Sequence, residues 1–195
     1  DRSGSDAPFG PGDSRSPWDG VNEIAIDPDD PQRVFVATQR GLLLTEDGGN
    51  SWNELSGQGG DVVNFPADVP YSEVAISDDG QTVFTASRRG LMRSTDGGNS
   101  FEPIGDENNF PTSAGRIEVA LAPQDNNVVY ANVTSDGSEN LVGIYRSGDN
   151  GDSWTTLASG GGIFDPFTNS VQGQGTWGNA IKVSPYDKNR IFVAG

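Results

Sequence analysis

Gly90-Leu-Met-Arg-Ser94-Thr-Asp96-Gly-Gly98-Asn-Ser100-Phe101 occurs in this chain in three versions, and that recurrence decides the fold. The earlier copy is Gly41-Leu-Leu-Leu-Thr45-Glu-Asp47-Gly-Gly49-Asn-Ser51-Trp52. The later one is Gly143-Ile-Tyr-Arg-Ser147-Gly-Asp149-Asn-Gly151-Asp-Ser153-Trp154. The leading glycines stand 49 and 53 residues apart, a period near that of a propeller blade. Each copy reduces to Ser/Thr-x-Asp-x-Gly-x-Ser-Trp/Phe. The Asp accepts local backbone N–H bonds in a tight turn. The Gly supplies backbone freedom at positive φ. The aromatic residue opens the next strand and buries its ring between sheets. On this reading Asp47, Gly49, Trp52, Asp96, Gly98, Phe101, Asp149, Gly151 and Trp154 hold turns and carry no catalysis.

The flanks repeat as well. Glu23-Ile-Ala-Ile-Asp27 and Val34-Phe-Val-Ala-Thr38 precede the first copy, with Pro28 to Arg33 between them. Glu73-Val-Ala-Ile-Ser77 and Thr82-Val-Phe-Thr-Ala86 precede the second. Ile117-Glu-Val-Ala-Leu121 and Val128-Val-Tyr-Ala-Asn132 precede the third. Short β-branched runs between Gly, Asp, Asn and Pro read as strands, and helical periodicity is absent. The expected class is therefore all-β: a β-propeller of four-stranded antiparallel blades, about three and a half of them present. Residues 1–20 read as an N-terminal extended segment and 21–195 as a partial propeller. The blades fall at approximately 21–57, 72–104 and 116–158, with a half blade at 178–195. A half blade leaves an open strand edge. The expectation is that further sequence, the remainder of the propeller, or a completing protein chain covers that edge.

Composition narrows the chemistry. Acidic residues outnumber basic ones 28 to 12, a net charge of −16, which argues against nucleic acid and anionic membrane surfaces as partners. The chain contains no cysteine and no histidine. That excludes a Ser-His-Asp triad, a Cys nucleophile and a His- or Cys-ligated zinc within it. No apolar run is long enough to insert across a bilayer. No cofactor and no metal site is implied.

The Asp-box pattern resembles the BNR/Asp-box repeat families. These include sialidases, oligoxyloglucan-type glycoside hydrolases, sortilin-like receptors and photosystem assembly factors. The stretch from Gln172 through Trp177 to Gly195 resembles large secreted bacterial BNR-repeat proteins, which implies a secreted or cell-surface location. In the oligoxyloglucan-type hydrolases a Thr-Asp-x-Gly-Gly stretch after the second strand carries a catalytic Asp. The matching stretch here is Thr38-Gln39-Arg40-Gly41-Leu42, and Gln39 cannot act as acid, base or nucleophile. The Arg-Ile-Pro motif of sialidases is also missing, since Glu118 follows Arg116-Ile117.

In an up-and-down blade the box turns share a face with the turns between the first two strands. The opposite face carries the loops between strands two and three, and the links between blades near 55–72, 102–116 and 158–178. Propeller function usually sits on that loop-rich face, by analogy of fold. Arg40, Arg88, Arg89 and Arg116 fall there, with Trp177, and form a candidate rim for a carboxylated sugar or an acidic partner. Charge balance on an acidic chain is the plainer explanation of the arginines. Trp18, Phe110, Phe164 and Phe167 fall in the same segments, as sugar-stacking surfaces or as plugs between blades. Asp106, Glu107, Asn108 and Asn109 offer oxygen ligands of the kind calcium takes, or a solvated loop. Asn132-Val133-Thr134 matches a glycosylation sequon. The reading that fits best is a non-catalytic extracellular module for binding or assembly. The alternatives are a fragment of a xyloglucanase-like or sialidase-like hydrolase with its catalytic residues elsewhere, and an assembly factor for a membrane complex.

Overall fold

The structure is a computed structural model. It describes residues 20–56, 69–112, 114–138, 140–161, 165, 168–169, 172–173 and 175–195. Trp18, Phe164 and Phe167 lie outside the described residues, as does the side chain of Trp177.

The first sheet runs in chain order through β1 (Val21–Ile26), β2 (Val34–Thr38), β3 (Leu42–Thr45) and β4 (Asn53–Glu54). The second comprises β5 (Tyr71–Ile76), β6 (Val83–Ser87), β7 (Gly90–Ser94) and β8 (Glu102–Ile104). The third comprises β9 (Ile117–Ala122), β10 (Asp125–Thr134), β11 (Leu141–Ser147) and β12 (Thr155–Ser159). A short ribbon, β13 (Thr168–Asn169) with β14 (Gln172–Gly173), and a one-turn helix α1 (Gly175–Gly178) follow. The chain then forms the hairpin β15 (Ala180–Ser184) and β16 (Asp187–Ala194). The fold is thus a β-propeller of four-stranded antiparallel blades: three blades and half of a fourth.

Burial follows strand position. β2, β6 and β7 are buried along almost their whole length, while β12 is exposed throughout. A strand covered on both faces loses the alternation of a half-buried one, which is why Val34-Phe-Val-Ala-Thr38 reads as a near-continuous apolar run. The outer edge carries Thr155, Thr156 and Ser159, whose polar side chains suit an uncovered strand.

The turns before β10 and β16 are tighter than the sequence implies. Residues 122–127 and 185–189 read as turns, yet pairing already begins at Asp125 with Ala122 and at Asp187 with Ser184. Irregular register takes up the extra residues. Asp125 and Asp187 stabilise these bends by accepting the backbone N–H two residues on, from Asn127 and Asn189.

The chain divides into two compact units, Asp1–Thr85 with Ser94–Glu102, and Ala86–Arg93 with Pro103–Gly195. In the first, β1 and β2 pack on β5. In the second, β9 and β10 pack on β15 through Ala120, Ala122, Val128, Tyr130 and Ile181.

Candidate functional site

The three Asp-boxes have one geometry. Asp47 Oδ1 accepts from the Thr45 hydroxyl at 2.8 Å and from the Ser51 amide at 2.9 Å, and Oδ2 accepts from the Ser51 hydroxyl at 2.6 Å. Asp96 receives the same three bonds from Ser94 and Ser100, and Asp149 from Ser147 and Ser153. The hydroxyl that opens each box also accepts the amide of Gly49, Gly98 or Gly151. Two consecutive left-handed residues make the bend: Gly48 and Gly49, Gly97 and Gly98, Asn150 and Gly151. The third box uses Asn at φ 58°, a residue that tolerates this region. The first left-handed residue donates its N–H to its own blade's preceding turn, at Gln32, Gln81 or Asn127. Box and turn therefore sit side by side at one end of each blade.

Hydrogen bonding sets the charge of these aspartates. Bonds from the Ser51 hydroxyl, the Ser51 amide and the Thr45 hydroxyl hold the Asp47 carboxyl at about 2, against 3.8 ordinarily. Burial raises the Asp96 and Asp149 carboxyls, but the donors from Ser100, Ser94, Ser153 and Ser147 outweigh it and leave both below the ordinary value. A group this firmly ionised and fully engaged in a turn is unsuited to proton transfer at neutral pH. Phe101 and Trp154 are buried as the box pattern implies, whereas Trp52 is only half-buried.

Basic residues on the same face clasp neighbouring turns, a feature that sequence reasoning missed. Arg33 pairs with Asp27 at 3.0 Å and lies 5.0 Å over the Phe35 ring. Its guanidinium also reaches the Gly80 carbonyl. Arg93 donates to the Asn150 carbonyl at 2.6 Å and to Asp152 at 2.7 Å. Tyr130 donates to the Lys188 carbonyl, and Lys188 pairs with Asp125 at 2.7 Å. These cations come from different strand positions, so the repeat gives no in-register signal for them.

The candidate rim residues fall in both units, Arg40 in the first and Arg88, Arg89 and Arg116 in the second. Arg40 is half-buried at the tight turn after β2, where its amide donates to the Thr38 hydroxyl. In the second unit Arg88 and Arg89 are exposed at the turn between β6 and β7. Arg88 lies 3.7 Å from Asp136 of the β10–β11 loop, with both side chains more than half exposed. Such a pair contributes little to stability. Arg116 is tied to Glu118 at 2.5 Å. The structure thus sets Arg88 beside a carboxylate and engages Arg116 with its neighbour. α1 places the Trp177 backbone in the link before β15.

Other candidate residues resolve into packing. Phe110 is 1% exposed and stacks at tilted angles on Tyr145 and Trp154, with centroids 5.3 and 4.9 Å away. It is a plug and offers no surface to a sugar. Asn132 is wholly buried and donates to Asn179 at 2.7 Å, so the sequon offers no accessible amide. Asn108 accepts from the Gly105 amide and donates to the Asp152 carbonyl, closing the 106–109 loop with protein partners. Among the described residues no three carboxylates gather as a metal site. The Gln39 amide donates to Asn22 at 3.0 Å, and Asn22 donates to the Tyr71 carbonyl. No helix among the described residues is long and apolar enough to cross a membrane.

The fold resembles several solved propellers at low identity. An ancestral GH74 enzyme superposes with a TM-score of 0.67 at 20% identity, over 89% of this chain and 21% of that one. The GH74 xyloglucanase from Xanthomonas campestris gives 0.63 at 20% identity, over 90% of this chain and 27% of that one. An auxiliary nutrient binding protein from Bacteroides thetaiotaomicron gives 0.56 at 12% identity, over 90% of this chain and 36% of that one. The chain thus spans about a quarter of the length of the GH74 enzymes, and the likeness establishes fold alone. No curated protein sequence matches it. The family described as photosynthesis system II assembly factor YCF48 matches residues 19–182, across all three Asp-boxes. With that span of agreement and three boxes of one geometry, the chain belongs to the photosynthesis system II assembly factor YCF48 family.

Proposed function

We propose that this chain is a non-catalytic propeller module that binds a protein or peptide partner and serves assembly. We further propose that it acts at the cell surface or in the secreted space, as its resemblance to secreted repeat proteins implies. One observation carries the binding reading. The box carboxylates are consumed by turns, while Arg88 and Arg89 stand exposed at the opposite end of their blade. An assembly role agrees with the description of the family it belongs to. The partner this rim favours is an acidic peptide segment, because guanidinium groups bind carboxylates with charge-assisted hydrogen bonds.

The test is fluorescence anisotropy with a labelled peptide rich in Asp and Glu, titrated with the whole chain at low and high salt. The double variant R88A/R89A is expected to weaken binding about tenfold or more while leaving the melting temperature unchanged. Affinity of the unsubstituted chain should fall as salt rises. Equal binding by the variant would remove the rim from the reading.

A further inference from the structure

The third Asp-box departs from the other two at its bend. The first two bend on Gly48-Gly49 and Gly97-Gly98, the third on Asn150-Gly151, which is the single Asn-Gly dipeptide of the chain. Asn is a thermolabile residue, prone to deamidation. A following Gly makes it most so, because no Cβ hinders the Gly nitrogen from reaching the Asn side chain. The exposed Asn50-Ser51 and Asn99-Ser100 of the other boxes carry that hindrance.

The chemistry is a ring closure followed by hydrolysis. The Gly151 nitrogen gives its proton to solvent base and attacks Asn150 Cγ. The Cγ–Nδ2 bond breaks, and ammonia leaves with a proton returned by solvent. Water then opens the succinimide at one of its two carbonyls. Opening at Cγ leaves aspartate. Opening at the main-chain carbonyl leaves isoaspartate, in which the main chain runs through Cβ and is one atom longer. The net change is one ammonia lost for one water gained, about 1 Da, with nothing oxidised or reduced.

The closed box blocks the closure. Ring formation requires rotation about the Asn150 Cα–C bond, which carries the Asn150 carbonyl and the Gly151 N–H together. Both are anchored. The carbonyl accepts from Arg93 Nη1 at 2.6 Å, and the Gly151 amide donates to Ser147 Oγ at 2.8 Å. The anchors are themselves held. Arg93 also donates to Asp152 at 2.7 Å and has a side chain only 9% exposed. The Ser147 hydroxyl donates to Asp149 at 2.7 Å. On either side, the Asn150 N–H donates to the Asn127 carbonyl at 2.9 Å, and the Gly151 carbonyl accepts from the Trp154 indole at 3.1 Å. Gly151 is buried, which keeps solvent base from its nitrogen.

We propose that Asn150-Gly151 is a latent self-modification site, silent while the third box is closed and reactive once it opens. Isoaspartate then prevents reclosure. The added main-chain atom puts Gly151 out of step with Ser147, so the bend that leads into β12 and buries Trp154 does not re-form. The aspartate product recloses, because Asp tolerates the left-handed region as Asn does. The first two boxes, with glycine in this place, open and close without a record. Of the three boxes, the third alone marks its own unfolding.

Peptide mapping of the whole chain tests this. The chain is held in mildly alkaline buffer, native or in denaturing urea, and the tryptic peptide 147–182 is followed by mass and fragmentation. Asn150 is expected to deamidate at least about tenfold faster in urea, since opening of the box gates the native reaction. Arg93→Gln is expected to speed the native reaction about threefold or more and to leave the rate in urea unchanged. Ser147→Ala, which removes the acceptor of the Gly151 amide, takes its place should that variant lose its circular dichroism spectrum. On removal of urea, the refolded fraction of the unsubstituted chain is expected to fall in step with isoaspartate at position 150. Asn150→Gly, which installs the residue of the first two boxes, is expected to refold fully after the same treatment. Equal rates with and without urea, or a native rate unmoved by either variant, would overturn the proposal. So would an isoaspartate-bearing chain that refolds as well as the unmodified one, or a loss of refolding that Asn150→Gly does not prevent.

Discussion

Asp47, Asp96 and Asp149 accept hydrogen bonds that an unfolded chain cannot offer, and their acidity reports it. The Asp47 carboxyl titrates at about 2 in the fold against 3.8 ordinarily. The folded form thus binds its proton less readily than the unfolded form. The stability this supplies is complete above pH 3.8 and is lost as pH falls towards 2. Asp96 and Asp149 shift in the same direction. The melting temperature should therefore fall steeply below about pH 4. Asp47→Asn should lower it at pH 7 and flatten its pH dependence in that window, as scanning calorimetry across pH would show. A second substitution separates space from backbone strain. Gly98 has φ 87°, and a Cβ there would lie 2.8 Å from the Phe35 ring. Gly90 has φ 121° but open space around it. Gly90→Ala should cost about 1–3 kcal/mol of backbone strain. Gly98→Ala adds a clash of about 1–3 kcal/mol to the same strain, measurable by urea denaturation. The bend residues were legible in the sequence because Asp, Ser and Gly are the types such a turn demands. The clasps of Arg33 and Arg93 were not, because a guanidinium reaches its partner along a flexible stem from whichever strand lies near.

Strands and links show where sequence patterns lose information. The repeat places each strand, since runs such as Val34 to Thr38 and Val83 to Ser87 recur in step with the boxes. It does not show that β10 starts at Asp125 or that α1 forms before β15, because bulges and single turns depend on pairing and not on local propensity. The link aromatics were ambiguous for the same reason: a Phe between blades reads alike whether it faces solvent or a core. Phe110 resolves to the core against Tyr145 and Trp154. Phe110→Ala is expected to cost about 3–5 kcal/mol, read from denaturant midpoints. Phe110→Leu should recover much of that loss, since it restores most of the volume. The rim arginines were identified by type and loop position, but their surroundings were not. Only the structure sets Arg88 beside Asp136 and Arg116 against Glu118.

At the scale of the whole molecule, a net charge of −16 on 195 residues is a repulsive load. Its few basic residues are partly drawn into the clasps, as Arg33, Arg93 and Lys188 are. Screening should relieve repulsion more than it weakens the clasps, because the Arg33 pair is largely shielded from solvent. The melting temperature is therefore expected to rise between about 10 mM and 500 mM sodium chloride, and a fall would show that the ion pairs dominate. The Asp-box repeat class was legible because its signature is a repeat, whereas the narrower family and the partner were not, because they depend on loops that the repeat leaves free. The bond from each box to its own blade's preceding turn has one more consequence. It joins residues only 16 apart at Gly48 and Gln32, whereas the side-chain bonds between blades span 47 to 63 residues. The short separation is expected to let each blade close its own turn face independently of the next, so that vectorial synthesis would release finished turns one blade at a time, as hydrogen-exchange labelling during refolding would show by protecting the Gly48 and Gly97 amides ahead of inter-blade contacts.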